Sequence, residues 1–96
     1  MRTSHVVHEL KIDGRWFTEI YIGAKTFEVR KDDRDFVIWD YLMLREYHAD
    51  DNEGEGRYTG RTILAKVTSL MRNSQYVPEG YCLMSIKVLD KPDGKI

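Results

Sequence analysis

Surplus positive charge is missing from this chain, and so are a second cysteine and any long apolar stretch. Lysine and arginine number 15 against 16 aspartates and glutamates, a net charge of −1. A domain that tracks a long nucleic acid by its phosphates carries a clear excess of cations, so the balance argues against strong non-specific binding of that kind. The single cysteine, Cys82, leaves no intrachain disulfide to form. It falls in an alternating apolar run and reads as a buried thiol rather than a nucleophile. No cysteine cluster exists, and His5, His8 and His48 lack a ligand spacing, so neither a metal nor a cofactor is expected. No segment comes near the ~20 apolar residues that cross a bilayer, and no signal-peptide pattern opens the chain. The expectation is a cytoplasmic protein without a membrane partner, with a monomer favoured.

What is present is enough for one domain over residues 1–96, with a core over residues 5–89, since 42% of the 96 residues are hydrophobic. His5 to Ile12 reads as a strand whose two faces both mix apolar and polar residues, the pattern of a strand packed on both sides at a barrel seam. Asp13 offers an N-cap. From Gly14 to Ile22 the period changes, and Trp16, Phe17, Ile20 and Tyr21 form a helical apolar stripe. Gly23 stands where a left-handed residue ends a helix. Thr26 to Arg30 alternates as a strand: Phe27 and Val29 share one face, Thr26, Glu28 and Arg30 the other, and Lys25 stands at the entrance.

Lys31-Asp32-Asp33-Arg34-Asp35 reads as a solvated turn. Asp40 to Tyr47 is a strand with Leu42 and Leu44 on one face. Asp50 to Gly56, within an acidic loop over residues 48–57, reads as a mobile connection whose spacing departs from a calcium loop. Tyr58 to Arg61 reads as a turn into the strand Thr62–Leu70. Pro78-Glu79-Gly80 turns the chain into a last strand, Tyr81–Leu89, and residues 90–96 read as a frayed tail. About five strands and one early helix predict an α+β domain built on a small, partly closed β-barrel.

The segment Gly23-x-Lys25-x-x-Glu28-x-Arg30 resembles the G-x-K-x-x-E-x-R signature of the ASCH domain (activating signal cointegrator homology), whose β-barrel is similar to the PUA domain of RNA-modifying enzymes. His8-x-Leu10-Lys11, Lys25 to Lys31 with Asp33-Arg34, and Leu42-x-Leu44-Arg45-Glu46-Tyr47 resemble, more narrowly, a branch catalogued as domain of unknown function 3850. The resemblance runs from Val7 to Val88. Two positions depart from that branch. Asp32 stands where asparagine is usual, and Trp39 where glycine is usual. The bulky Trp39 implies a turn that needs no positive φ, and an aromatic near the cleft.

The resemblance implies a PUA-like barrel with an open cleft, floored by the Lys25–Arg30 strand and partly covered by the helix, that binds RNA or a nucleotide-like ligand. His8, Lys11, Lys25, Glu28, Arg30 and Arg34 are the candidate ligand-binding residues. Cations would donate to phosphate or base-edge acceptors, Glu28 would accept from a base or hold Arg30, and Trp39, Tyr47 or Tyr81 would supply a stacking ring. The alternative from the same superfamily is a small amidohydrolase acting on a modified nucleoside, with Lys25 and Glu28 as the catalytic pair. In such enzymes a threonine nucleophile stands where this chain has Glu28. Two further readings stay open: a protein-interaction accessory domain, and a purely structural Glu28–Arg30 ion pair with Lys25 in solvent.

Overall fold

The structure, a computed structural model, describes residues 4–49 and 56–93. Its elements run β1 (Val7–Asp13), α1 (Gly14–Tyr21), β2 (Phe27–Lys31), β3 (Tyr41–His48), β4 (Arg57–Met71) and β5 (Tyr81–Asp90). The five strands form one mixed sheet in the order β1-β3-β4-β5-β2. β1 runs parallel to β3, and every other neighbouring pair is antiparallel. The sheet curls into a half-barrel, an α+β arrangement with one short helix, and its two outermost strands are β1 and β2. Among the described residues no helix is long and apolar enough to cross a membrane.

Alternation builds the core. Leu10 and Ile12 of β1, Leu42 and Leu44 of β3, Ile63, Ala65 and Val67 of β4, and Cys82 and Met84 of β5 all face inward, against Phe17 and Ile20 of α1. β1 is corrected in one respect: its faces separate cleanly, with His8, Leu10 and Ile12 buried and Val7, Glu9, Lys11 and Asp13 exposed. It is not packed on both sides. Its apparent mixing comes from a histidine on the buried face and a valine on the exposed one.

Helix α1 begins as its sequence requires. The Asp13 carboxylate accepts from the Arg15 amide at 2.8 Å, which satisfies a first-turn donor. Gly14 follows because a Cβ there would lie 2.2 Å from the His48 ring. Gly23 takes φ +84 just past the helix, the left-handed end expected. Of the expected tail over residues 90–96, Asp90 belongs to β5 and Lys91 donates to the Tyr21 carbonyl at 2.9 Å, while residues 94–96 lie outside the described residues. The expected acidic loop falls largely on residues 50–55, outside the described residues.

The predicted turn at Tyr58–Arg61 is instead the first part of a fifteen-residue strand. The register against β3 shifts between Arg45 and Tyr47, so that Thr59, Gly60 and Arg61 together face Glu46. Gly60, at φ +91, permits this bulge, and bulges re-aim side chains. Here Thr59 Oγ1 donates to Glu46 at 2.8 Å and Arg61 Nε at 2.7 Å, which satisfies a buried carboxylate.

The segment before β3 is pinned by another buried acid. Asp40 accepts from the Val6 amide at 3.2 Å, the Val37 amide at 3.1 Å and His8 Nε2 at 2.8 Å. This tight turn sets Trp39 at φ +79, so the expectation that a bulky residue there means an ordinary φ is overturned. A left-handed non-glycine residue costs of order 1–3 kcal/mol, and Trp39 is 49% exposed, so little core packing offsets it. Trp39→Gly is therefore expected to leave stability within about 1 kcal/mol of the parent or to raise it, because relief of strain opposes the extra unfolded-state entropy of glycine. Urea unfolding checks this; a loss of about 3 kcal/mol, as for a buried aromatic, would contradict it.

Candidate functional site

The strand β2 is inverted relative to an ordinary edge strand. Phe27 and Val29 point to solvent, while Glu28 between them is 3% exposed. A carboxylate removed from water is costly unless its charge and lone pairs are matched. Both oxygens are matched here: Lys25 Nζ donates to Oε1 at 2.7 Å and Arg30 Nε to Oε2 at 2.7 Å. Lys25 also donates to the Phe27 carbonyl at 2.7 Å and lies 4.9 Å from the Phe27 ring centroid. Its side chain is only 12% exposed, that of Arg30 22%. The alternative of a Glu28–Arg30 pair with Lys25 in bulk solvent is thereby corrected.

This triad lines a hollow of about 460 Å³ between the two outermost strands. Ile12 and Asp13 of β1 form one side, Phe27 to Arg30 of β2 the other, and Trp16 and Glu19 of α1 the end. A second hollow of about 300 Å³ continues along the seam, sharing Lys11 and Arg30 and bounded by Asp33, Arg34 and Phe36.

Backbone alternation explains why outward-pointing residues line the hollow. On β2, the Ile86 amide donates to Thr26 and the Asp32 amide to Gly80. In an antiparallel ladder these fix Glu28 and Arg30 as the residues bonded to β5, and Val29 and Lys31 as those whose amides and carbonyls face the open edge. On β1, the Tyr41 amide donates to Val6, so the even-numbered residues pair with β3 and Glu9, Lys11 and Asp13 face the seam. Among the described residues β1 and β2 share no ladder. Two edge carbonyls are capped by cations, Phe27 by Lys25 and Glu9 by Arg34 at 3.0 Å. Such capping blunts an exposed edge.

Arg30 keeps both terminal NH₂ groups without an acceptor among the described residues, and Lys25 keeps one of its three donors. The charges lining the larger hollow balance, Lys11, Lys25 and Arg30 against Asp13, Glu19 and Glu28.

The structure gathers Lys25, Glu28 and Arg30 and leaves the other candidates at its margins. His8 lines neither hollow; it is buried, bonded to Asp40 and packed against Phe36 at 4.7 Å between ring centroids. Lys11 borders both, yet its ammonium lies 4.4 Å from the Tyr47 ring on the outer face. Arg34 reaches the second hollow only. Trp39, Tyr47 and Tyr81 line neither. The aromatics that line the larger hollow are Phe27 and Trp16, the latter placed by the sequence in one apolar stripe with Phe17 and Ile20. Its signal was its place at the rim of the stripe, 100° from Phe17.

The Lys31–Asp35 turn is also more than solvated: Asp32 forms a two-point pair with Arg72, which donates onward to the Phe36 carbonyl at 2.9 Å. Asp32 raises the Arg72 guanidinium further above its usual range by this hydrogen bond. Among the described residues no group of three or more His, Cys, Asp or Glu side chains is placed to hold a metal.

Two outcomes follow. Glu28→Gln is expected to cost about 1–3 kcal/mol, since two half-buried cations lose their counter-charge; a change under about 0.5 kcal/mol in chemical unfolding would mean the triad is a solvated surface pair. Burial, reinforced by Asp32, raises the Cys82 thiol. Its contribution to stability is therefore complete below the ordinary thiol value and declines as pH rises past it. At mildly alkaline pH the native chain should resist a thiol reagent that modifies the urea-unfolded chain; equal rates would contradict this.

Residues 7–86 match the family described as "Domain of unknown function (DUF3850)". Among curated proteins, the "Uncharacterized 12.9 kDa protein in GpA 3'region" of Escherichia phage P2 is 32% identical over 78 residues. The match takes in 81% of this chain and 65% of that relative, so the chain spans less than two thirds of its length. With four-fifths of its residues inside the family's boundaries and the Lys25–Glu28–Arg30 seam among them, the chain belongs to the DUF3850 family.

Proposed function

We propose that the chain is an ASCH-type, PUA-like binding module that holds RNA, or a nucleotide-like ligand, by one unpaired base in the seam between β1 and β2. The observation that carries this reading is the buried Glu28, which presets Lys25 and Arg30 at 2.7 Å each on the lining of a hollow of about 460 Å³, with donors to spare. A volume in the range of roughly 300–1,000 Å³ suits a small organic ligand. RNA is commonly read on unpaired bases stacked on aromatic rings, and Trp16 offers such a wall. The open-edge amides and carbonyls of Lys11 and Val29 add the alternating donors and acceptors that a base edge needs. The balanced lining charges favour a base over a run of phosphates.

A hydrolase built on Lys25 and Glu28 is less well supported. Both Glu28 oxygens are engaged, and no serine, threonine or cysteine lines the larger hollow. A protein-interaction role has one observation in its favour, an apolar hollow of about 350 Å³ on the outer face lined by Phe27, Leu70, Met71 and Leu83.

Calorimetric titration with modified nucleosides and short RNAs tests the proposal. Trp16→Ala is expected to weaken binding about tenfold, in line with the loss of one base stack, and Arg30→Gln at least as much, with thermal melting unchanged within a few degrees. Acyl release from a modified nucleoside that disappears in Lys25→Ala would replace the module with an enzyme. Equal binding by all variants, or none by the parent, would refute the cleft reading.

A further inference from the structure

We infer that the outer face of the sheet around Trp39 is a second nucleic-acid surface, on which an unpaired base stacks while Lys66 and Lys87 meet phosphates. Trp39 holds φ +79, a region that glycine enters freely and tryptophan does not. The residue is half exposed, so the core does not hold it there. The indole instead joins a patch of fixed composition: the Lys66 ammonium lies 5.3 Å from the Trp39 ring and 5.5 Å from that of Tyr41.

The sheet register supplies an independent sign of an anionic partner. Lys66 stands directly opposite Lys87 on β4 and β5. Both point outward, because Ala65, Val67 and Ile86 beside them are the buried residues. Like charges facing each other across a ladder are destabilising. Among the described residues neither ammonium lies within ion-pair distance of a carboxylate. A strained, exposed indole beside Lys66, with Lys87 across the ladder and no carboxylate paired to either lysine, is poor architecture and a fitting receptor for planar rings strung on a negative backbone. An acidic polypeptide would satisfy the lysines and give the indole nothing to stack on. None of Trp39, Tyr41, Lys66 and Lys87 lines either hollow of the seam, so this surface stands apart from the cleft.

With two cations in play, the affinity for a single strand should fall with salt along a log–log slope of roughly −1.4, shallow for a nucleic-acid binder. The test is fluorescence anisotropy of a fluorescein-labelled uridine dodecamer with the full chain at low salt. Trp39→Gly, which fits the backbone, should weaken binding about tenfold while Trp39→Phe retains most of it. Lys66→Gln and Lys87→Gln should each roughly halve the salt slope. Arg30→Gln should leave the effect of Trp39→Gly intact, which separates this surface from the seam: loss of single-nucleoside binding belongs to the cleft, loss of the Trp39-dependent step to the outer face. Dodecamer binding that is absent, or equal in the parent and Trp39→Gly, would overturn the inference. So would competition by poly-glutamate as effective as by unlabelled dodecamer.

Discussion

A carboxylate that cannot reach water must find its counter-charge in the protein, and Glu28 finds both of its partners within three residues on either side. Lys25 at the entrance of β2 and Arg30 near its end close on it at 2.7 Å each. This local solution decides the orientation of the whole strand. With Glu28 inside, period-two geometry sends Phe27 and Val29 outward, against what their hydrophobicity alone would choose. The same arrangement places two cations, a carboxylate and Trp16 around a gap in the sheet instead of scattering them over its surface.

An open half-barrel has to be kept open without the hydrogen bonds that closure would supply. Among the described residues three acids are buried, each with both carboxylate oxygens hydrogen-bonded. Asp40 ties the start of β1 to the start of β3 through the Val6 amide and His8. Glu46 is met by Thr59 and Arg61 across a bulge that bends β4. Glu28 organises the far edge. Networks of this kind rigidify when every member is satisfied, and among the described residues no buried side-chain polar atom lacks a partner. At the edges, Lys25 and Arg34 each cap a carbonyl, which discourages another chain from adding a strand.

How much of this was legible in the sequence depends on how far apart the partners lie. The helix and its ends were readable, because an N-cap at Asp13, a stripe through Phe17 and Ile20 and a terminal Gly23 are all local signals. So was the triad, whose members span six residues. Arg61 with Glu46 and Arg72 with Asp32 were not, since fifteen and forty residues separate them and no local pattern announces a long-range ion pair. Gly60 read as a turn because glycine marks turns and bulges alike. His8 matched a family position and was taken for a ligand group, whereas its burial against Asp40 and Phe36 could be seen only in three dimensions. Trp39 misled in the opposite sense: the residue type suggested an ordinary backbone, and the turn pinned by Asp40 imposed a left-handed one.

The cleft requires β1 and β2 to be unpaired neighbours across the seam, and residue-resolved amide hydrogen exchange of the unliganded chain measures this most directly. The prediction is an alternation along each edge: Glu28 and Arg30 protected by their bonds to β5 and Leu10 and Ile12 by theirs to β3, with Val29, Lys31 and Lys11 exchanging orders of magnitude faster. Uniform protection along both strands would show that the barrel closes through a β1–β2 ladder, leaving no seam for a ligand to enter.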